Sequence, residues 1–325
     1  MRRREFITLL GSAAAAWPSA ARAQQPAMPV IGVLGFGTNI QDRFYPFVRG
    51  LGKAGYVEGQ NVVVEYRGGT QLGQFREILT DFVRQKVTVI VASNDGPALE
   101  AKRATSTVPI VFVSTAPDPV KLGLVESLNR PGGNVTGVAF LVTELAAKRL
   151  DLLCQAAPSA TRVAYLAGGV GFWSFEEEKN RLMAAADALK RQLITIEFRT
   201  DSQLESALAT FAENAAGALI VAAVPIFSEK IEKIVALAAQ YKIPAIYPHR
   251  GFVLRGGLMS YSPDYTDNLL IAADLVSKIL TGTKPADLPV RMSTKFDFVV
   301  NLKTARQLGL EIPQDLLAFA NDVIG

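Results

Sequence analysis

Hydrophobic residues follow two rhythms along this chain. Short, nearly unbroken β-branched runs alternate with stretches whose apolar positions recur every three or four residues. An unbroken run suits a strand buried on both faces, and the wider spacing gives a helix one apolar stripe. Residues 30–35 read as the first strand, followed by a helix carrying Phe44, Phe47, Val48 and Leu51 on one face. Next come a strand at 61–66, a helix bearing Phe75, Ile78, Leu79, Phe82 and Val83, a strand at 87–92, a helix over 99–104 and a strand at 109–113. A turn-rich break at 129–134 interrupts the pattern. After an extended piece at 135–138 and a helix over 144–153 it resumes, with strands at 162–166, 194–198, 218–221 and 245–247. The helices of this second block are expected at about 174–191, 202–214 and 228–241.

Strands alternating with helices of this length imply a parallel sheet covered on both faces. Two such blocks predict an α/β protein: two doubly wound parallel-sheet lobes joined by a three-segment hinge. The tail supplies the joints. Residues 256–261, an amphipathic helix carrying Leu269, Leu270, Ala273, Val276 and Leu280, an extended 296–300 and a last helix are too few for a third core. They must pack back on the two lobes, with crossings near 136–142, 258–264 and 288–298. The expected division is 24–138 plus about 264–288 for lobe 1, and about 139–260 plus about 292–325 for lobe 2.

The first residues follow a different grammar. Arg2, Arg3 and Arg4 precede an apolar stretch, and Ala21-Arg22-Ala23 precedes Gln24. This is the three-part pattern of a secretory signal over residues 1–23, and its apolar run is shorter than the ~20 residues of a spanning helix. The paired arginines suggest the twin-arginine route, with ordinary Sec export as the alternative. Cleavage after Ala23 would make the protein periplasmic. It would also remove four arginines and Glu5, so the net charge of +4 would fall to +1. Neither the charge nor its distribution points to nucleic acid. One cysteine in 325 residues, Cys154, permits no internal disulfide, and its apolar helical neighbours Leu150 and Leu153 make it core filler.

Several short motifs run in order along the mature chain: residues 55–61 leading to Glu65-Tyr66, 101–105, Asp118-Pro119-Val120, 130–137, 256–261, 284–290 and 301–305. Together they resemble the ABC transporter substrate-binding family related to tryptophan- and tyrosine-type binding proteins. The resemblance implies a type I periplasmic-binding-protein fold that captures a small molecule by hinge closure and delivers it to permease subunits at the inner membrane. It implies no catalytic residue and no cofactor, and a monomer is expected. The ligand expected is a small carboxylate, aromatic or amino-acid-like. Where tryptophan-type members usually carry a short polar segment that grips an ammonium, this chain reads Val224-Pro225-Ile226. That departure favours an aromatic or aliphatic carboxylate over an α-amino acid.

In a doubly wound sheet, ligands sit beyond the carboxyl ends of the strands. The residues there are Thr38 and Asn39 after the first strand, Asn94 and Gly96 after the third, and Thr115 and Asp118 after the fourth. In the second block they are Phe172 and Trp173, then Pro225 and Phe227, then His249, with Tyr261 near the hinge. Amides around Asn94–Gly96 suit a carboxylate, Asp118 suits an ammonium or caps its own turn, and Phe172, Trp173 and Phe227 offer rings for an apolar ligand body. Arg250 offers a second place for an anion. Gly35-Phe36-Gly37 is no dinucleotide fingerprint, since Ile40 stands where the third glycine belongs. An enzyme and a docking sensor module are the competing readings. Against the first stands a chain with a single histidine and no nucleophile elbow, P-loop or metal-ligand cluster.

Overall fold

The computed structural model describes residues 28–37, 39–114, 118–140, 142–167, 174–198, 200–213, 217–224, 227 and 229–325. The proposed signal, and Thr38, Thr115, Phe172, Trp173 and Pro225, lie outside the described residues. The first sheet joins β1 (Val30–Phe36), β2 (Val63–Gly69), β3 (Val89–Ala92), β4 (Ile110–Ser114), β5 (Val135–Ala139) and β11 (Arg291–Met292). Their order across the sheet is β11-β5-β4-β3-β1-β2, and every pairing is parallel. The second joins β6 (Arg162–Ala167), β7 (Gln192–Glu197), β8 (Ala218–Val221), β9 (Ala245–Tyr247), β10 (Met259–Pro263), β12 (Phe296–Asn301) and β13 (Asp322–Ile324). Its order is β13-β12-β10-β9-β8-β6-β7, with β12 antiparallel to β10.

Helices cover both faces of the first sheet. On one side lie α1 (Ile40–Arg43), α2 (Tyr45–Lys53) and α10 (Tyr265–Leu280), whose Phe44, Phe47, Leu269, Ala272 and Val276 are buried over β1, β3, β4 and β5. On the other lie α3 (Leu72–Arg84) and α4 (Asp95–Ala104), which bury Phe75, Phe82, Ala98 and Ala101. The second lobe has one continuous core. It is formed with α5 (Val142–Ala156), α6 (Ser174–Ala188), α7 (Asp201–Glu213) and α8 (Ile231–Gln240). The short α9 (Arg250–Val253), α11 (Leu302–Gln307) and α12 (Gln314–Phe319) complete it. The helix expected through Phe44 and Leu51 is therefore two, α1 and α2, broken at Phe44.

Three crossings join the lobes. The chain leaves the first sheet after β5 and enters α5, whose Leu150 and Leu153 sit in the second core. It returns between β10 and α10, and leaves again between β11 and β12. The crossings are bonded to one another: the Ser293 amide donates to Ala139 O at 2.9 Å, and the Asp264 amide to Lys295 O at 2.9 Å.

The sequence motifs that carry the resemblance serve turns. Asn61 Oδ1 accepts from the Val57 amide at 2.7 Å while its Nδ2 donates to Gly55 O, in a loop where Gly55 and Gly59 have positive φ. Asn134 Nδ2 donates to the carbonyls of Thr105 and Val108, and the buried Thr136 hydroxyl donates to Leu288 O at 2.7 Å. Asn301 caps α11 by accepting from the Thr304 amide, and the Thr304 hydroxyl donates to Gly256 O. These bonds satisfy backbone groups that loops would otherwise leave open.

Candidate functional site

Each sheet reverses its strand order at one point: between β1 and β3 in the first lobe, and between β6 and β8 in the second. Such a reversal leaves a crevice at the carboxyl edge, because the loops on either side of it diverge to opposite faces. Both crevices lie on the side where the lobes meet. Ala223, two residues beyond β8, packs against the first-lobe cluster that holds Ile40 and Phe44.

The first-lobe wall is built closely. Gly37 turns the chain at φ +87°, and a side chain on Gly68 would strike its carbonyl. Those glycines serve the turn rather than a cofactor. Beyond β3, Ser93 is buried with its hydroxyl unpartnered, and the buried Oδ1 of Asn94 also has no partner. Asn94 is the N-cap of α4, yet its side chain makes no capping bond. Buried polar atoms left open cost about 1–3 kcal/mol each, so their natural complement is a bound polar group. Gly96, half-buried, lies in the first turn of this same helix, and the exposed Asn39 precedes α1 beyond β1.

Across the crevice, His249 caps α9, its Nδ1 accepting from the Gly251 amide at 3.2 Å, and its ring leans on Phe252. Burial, with Arg43 and then Arg255 adding positive charge, pushes the imidazole down to about 4, so it is neutral at physiological pH. Arg43 was not visible as a site residue in the sequence. Its Nη1 donates to Phe36 O at 3.0 Å, at the end of β1. Close by, the Tyr265 hydroxyl is buried against Arg43, which through its charge and as a hydrogen-bond partner opposes the rise that burial imposes on its pKa.

Three expected contacts are placed elsewhere. Phe227 is fully buried in the second core, stacked on Phe198 at 5.6 Å, and offers no ring face to a ligand. Tyr261 is enclosed by Phe296, Phe298 and Phe319 at the hinge. Asp118 accepts from the Val120 amide at 2.8 Å, which makes it the cap of its own turn. Arg250 is engaged as well, by Asp322 at 2.6 Å and Asp297 at 3.4 Å.

The pattern of the ABC transporter substrate binding proteins matches residues 41–324, most of the 325-residue chain. The chain belongs to this family. A tyrosine-binding protein of Clostridioides difficile is 26% identical over 276 residues, 82% of this chain and 76% of that one. A conserved domain protein from Vibrio cholerae is 26% identical, with TM-score 0.82, over 91% of this chain and 99% of its own. A Streptococcus ABC domain solved in complex with L-Trp is 24% identical, with TM-score 0.81, over the same shares. The architecture is thus the type I periplasmic-binding fold expected above. As a substrate-binding protein, it belongs to a class that binds small molecules and works with ABC permeases, not one that carries out catalysis.

Proposed function

We propose that this substrate-binding protein is exported to the periplasm and closes its lobes on an aromatic amino acid or a closely related aromatic carboxylate. The observation that carries the reading is the pair of open polar groups, Ser93 Oγ and Asn94 Oδ1, beside the uncapped start of α4. Free amides there suit a carboxylate, and the open acceptor of Asn94 suits an ammonium or hydroxyl donor. The relatives add weight in the same direction, since one is named for tyrosine and another was solved with L-Trp. Phe172 and Trp173 are proposed as the apolar half of the pocket, with Thr38, Thr115 and Pro225 flanking it. Twin-arginine export with cleavage before Gln24 and action as a monomer belong to the same proposal.

The test uses the mature chain, in which Trp173 is the one tryptophan left once Trp17 has gone with the signal. L-tyrosine, L-tryptophan and 3-(4-hydroxyphenyl)propionate are titrated by calorimetry, and Trp173 emission is followed with the non-indole ligands. Binding of at least one probe with a change in emission is expected, and Trp173→Ala should weaken it roughly tenfold to a hundredfold. Failure of all three to bind would overturn the aromatic reading.

A further inference from the structure

The crevice contains an arginine whose charge is not answered. Arg43 ends α1, the helix that opens directly from the β1 turn, and its Nη1 donates to the neutral Phe36 carbonyl. No carboxylate among the described residues lies within 4.0 Å of it. The arginines that follow His249 in the chain differ. Arg250 is held by Asp297 and Asp322, and Arg255 faces Glu232 at 3.6 Å. Next to Arg43, the Tyr265 hydroxyl is buried, and the open atoms of Ser93 and Asn94 lie beyond β3, the strand beside β1. A side chain on Gly35 would meet Ser93 Oγ at 2.5 Å, so the end of β1, where Phe36 O holds Arg43, runs against Ser93.

A guanidinium fixed at one nitrogen keeps a planar fork of donors, the geometry that takes a carboxylate at two points. Its position also matters for closure. The charge reaches across to the second lobe, where His249 feels Arg43 and Arg255 together. The neutral His249 does not compensate the charge of Arg43, so an anion entering between the lobes would.

We infer that Arg43 is the specificity-determining residue of the site: its guanidinium receives the ligand's free carboxylate and restricts the protein to anionic or zwitterionic ligands. This rests on the aromatic-ligand reading above. It adds the requirement that the acid function be free, which excludes amides, esters and amines of the same ring body.

The experiment measures affinity of the mature wild-type chain, Arg43→Lys and Arg43→Gln for L-tyrosine, 3-(4-hydroxyphenyl)propionate, L-tyrosinamide and tyramine. Wild type is expected to prefer L-tyrosine over L-tyrosinamide by about tenfold to a hundredfold, the range of one charge-assisted contact. In Arg43→Gln, L-tyrosine should weaken by a similar factor while L-tyrosinamide changes little, so the preference collapses. Arg43→Lys should fall between, because it keeps the charge and loses the fork. Arg43 is exposed, so the melting temperature of the empty variants should match wild type. Undiminished acid-over-amide preference in Arg43→Gln, or wild type holding tyramine as tightly as L-tyrosine, would overturn the inference and leave the aromatic reading standing. If wild type binds no probe at all, that reading falls and this inference with it.

Discussion

His249 does two things with one ring. Its Nδ1 accepts the Gly251 amide, which requires a neutral imidazole, and its surroundings penalise the charged form. A depressed folded pKa has a definite sign in linkage. The stability contributed by the neutral ring is complete above the ordinary value of 6.5 and is lost as the pH falls toward about 4. Wild type should therefore lose more stability between pH 7 and pH 4.5 than His249→Asn, which keeps a capping acceptor but does not titrate. Urea midpoints at the two pH values measure the difference. With one histidine in the chain, NMR titration reads the imidazole directly, and a midpoint near 6.5 would show that the ring is open to water. At this scale the sequence was partly legible. The position of Asn94 just beyond β3 was legible because the carboxyl edge of a strand follows a positional rule. Phe227 could not be placed: an aromatic shortly after a strand reads the same whether its loop faces the crevice or folds back onto Phe198. Arg43 was hidden by a similar ambiguity, because the break at Phe44 that turns it toward β1 leaves the apolar spacing intact.

Among the elements, the second lobe carries a buried polar joint. Arg149 on α5 and Glu178 on α6 are both enclosed, 3.3 Å apart, and the Tyr165 hydroxyl of β6 donates to Glu178 at 2.8 Å. Arg149 also reaches Val221 O at 3.4 Å, the last residue of β8, directly before the crevice loop. Burial pushes Glu178 upward, opposed by Arg149 and by the tyrosine bond. Removing one partner strands a buried charge, whereas removing both replaces the pair with apolar packing. Arg149→Met should cost about 3–5 kcal/mol in urea unfolding, and adding Glu178→Leu should recover most of it. If the double variant is no more stable than the single, the pair is not the source of the loss. The hydrophobic pattern located strands and helices within a few residues because each buries a continuous run or stripe. It missed β11, β13 and the 3₁₀ turn at Pro285–Asp287, which are two or three residues long and too short to show a period. The family was legible for a related reason: Asn61, Asn134 and Asn301 hold particular loop shapes, which few other residues could do. No such constraint names the ligand.

At the scale of the molecule, the three bonded crossings form a narrow joint between two separately buried cores, the arrangement in which rigid lobes rotate about a few residues. Small-angle scattering should report a smaller radius of gyration for the mature protein with a saturating aromatic probe than without it. An unchanged profile at proven saturation would mean that capture proceeds without lobe rotation. The same connectivity has a consequence in time. Domains usually fold from the N-terminus as the chain is made. Here the first lobe lacks α10 and β11 until residues 265–292 exist, and the second lacks β12 until residues 296–301 exist. Neither lobe can close its core while the ribosome is still making the middle of the chain. The nascent protein thus stays incomplete in both halves until synthesis is nearly over, and then both halves finish together. A chain built this way offers no stage at which one lobe stands complete while the other is still missing its middle.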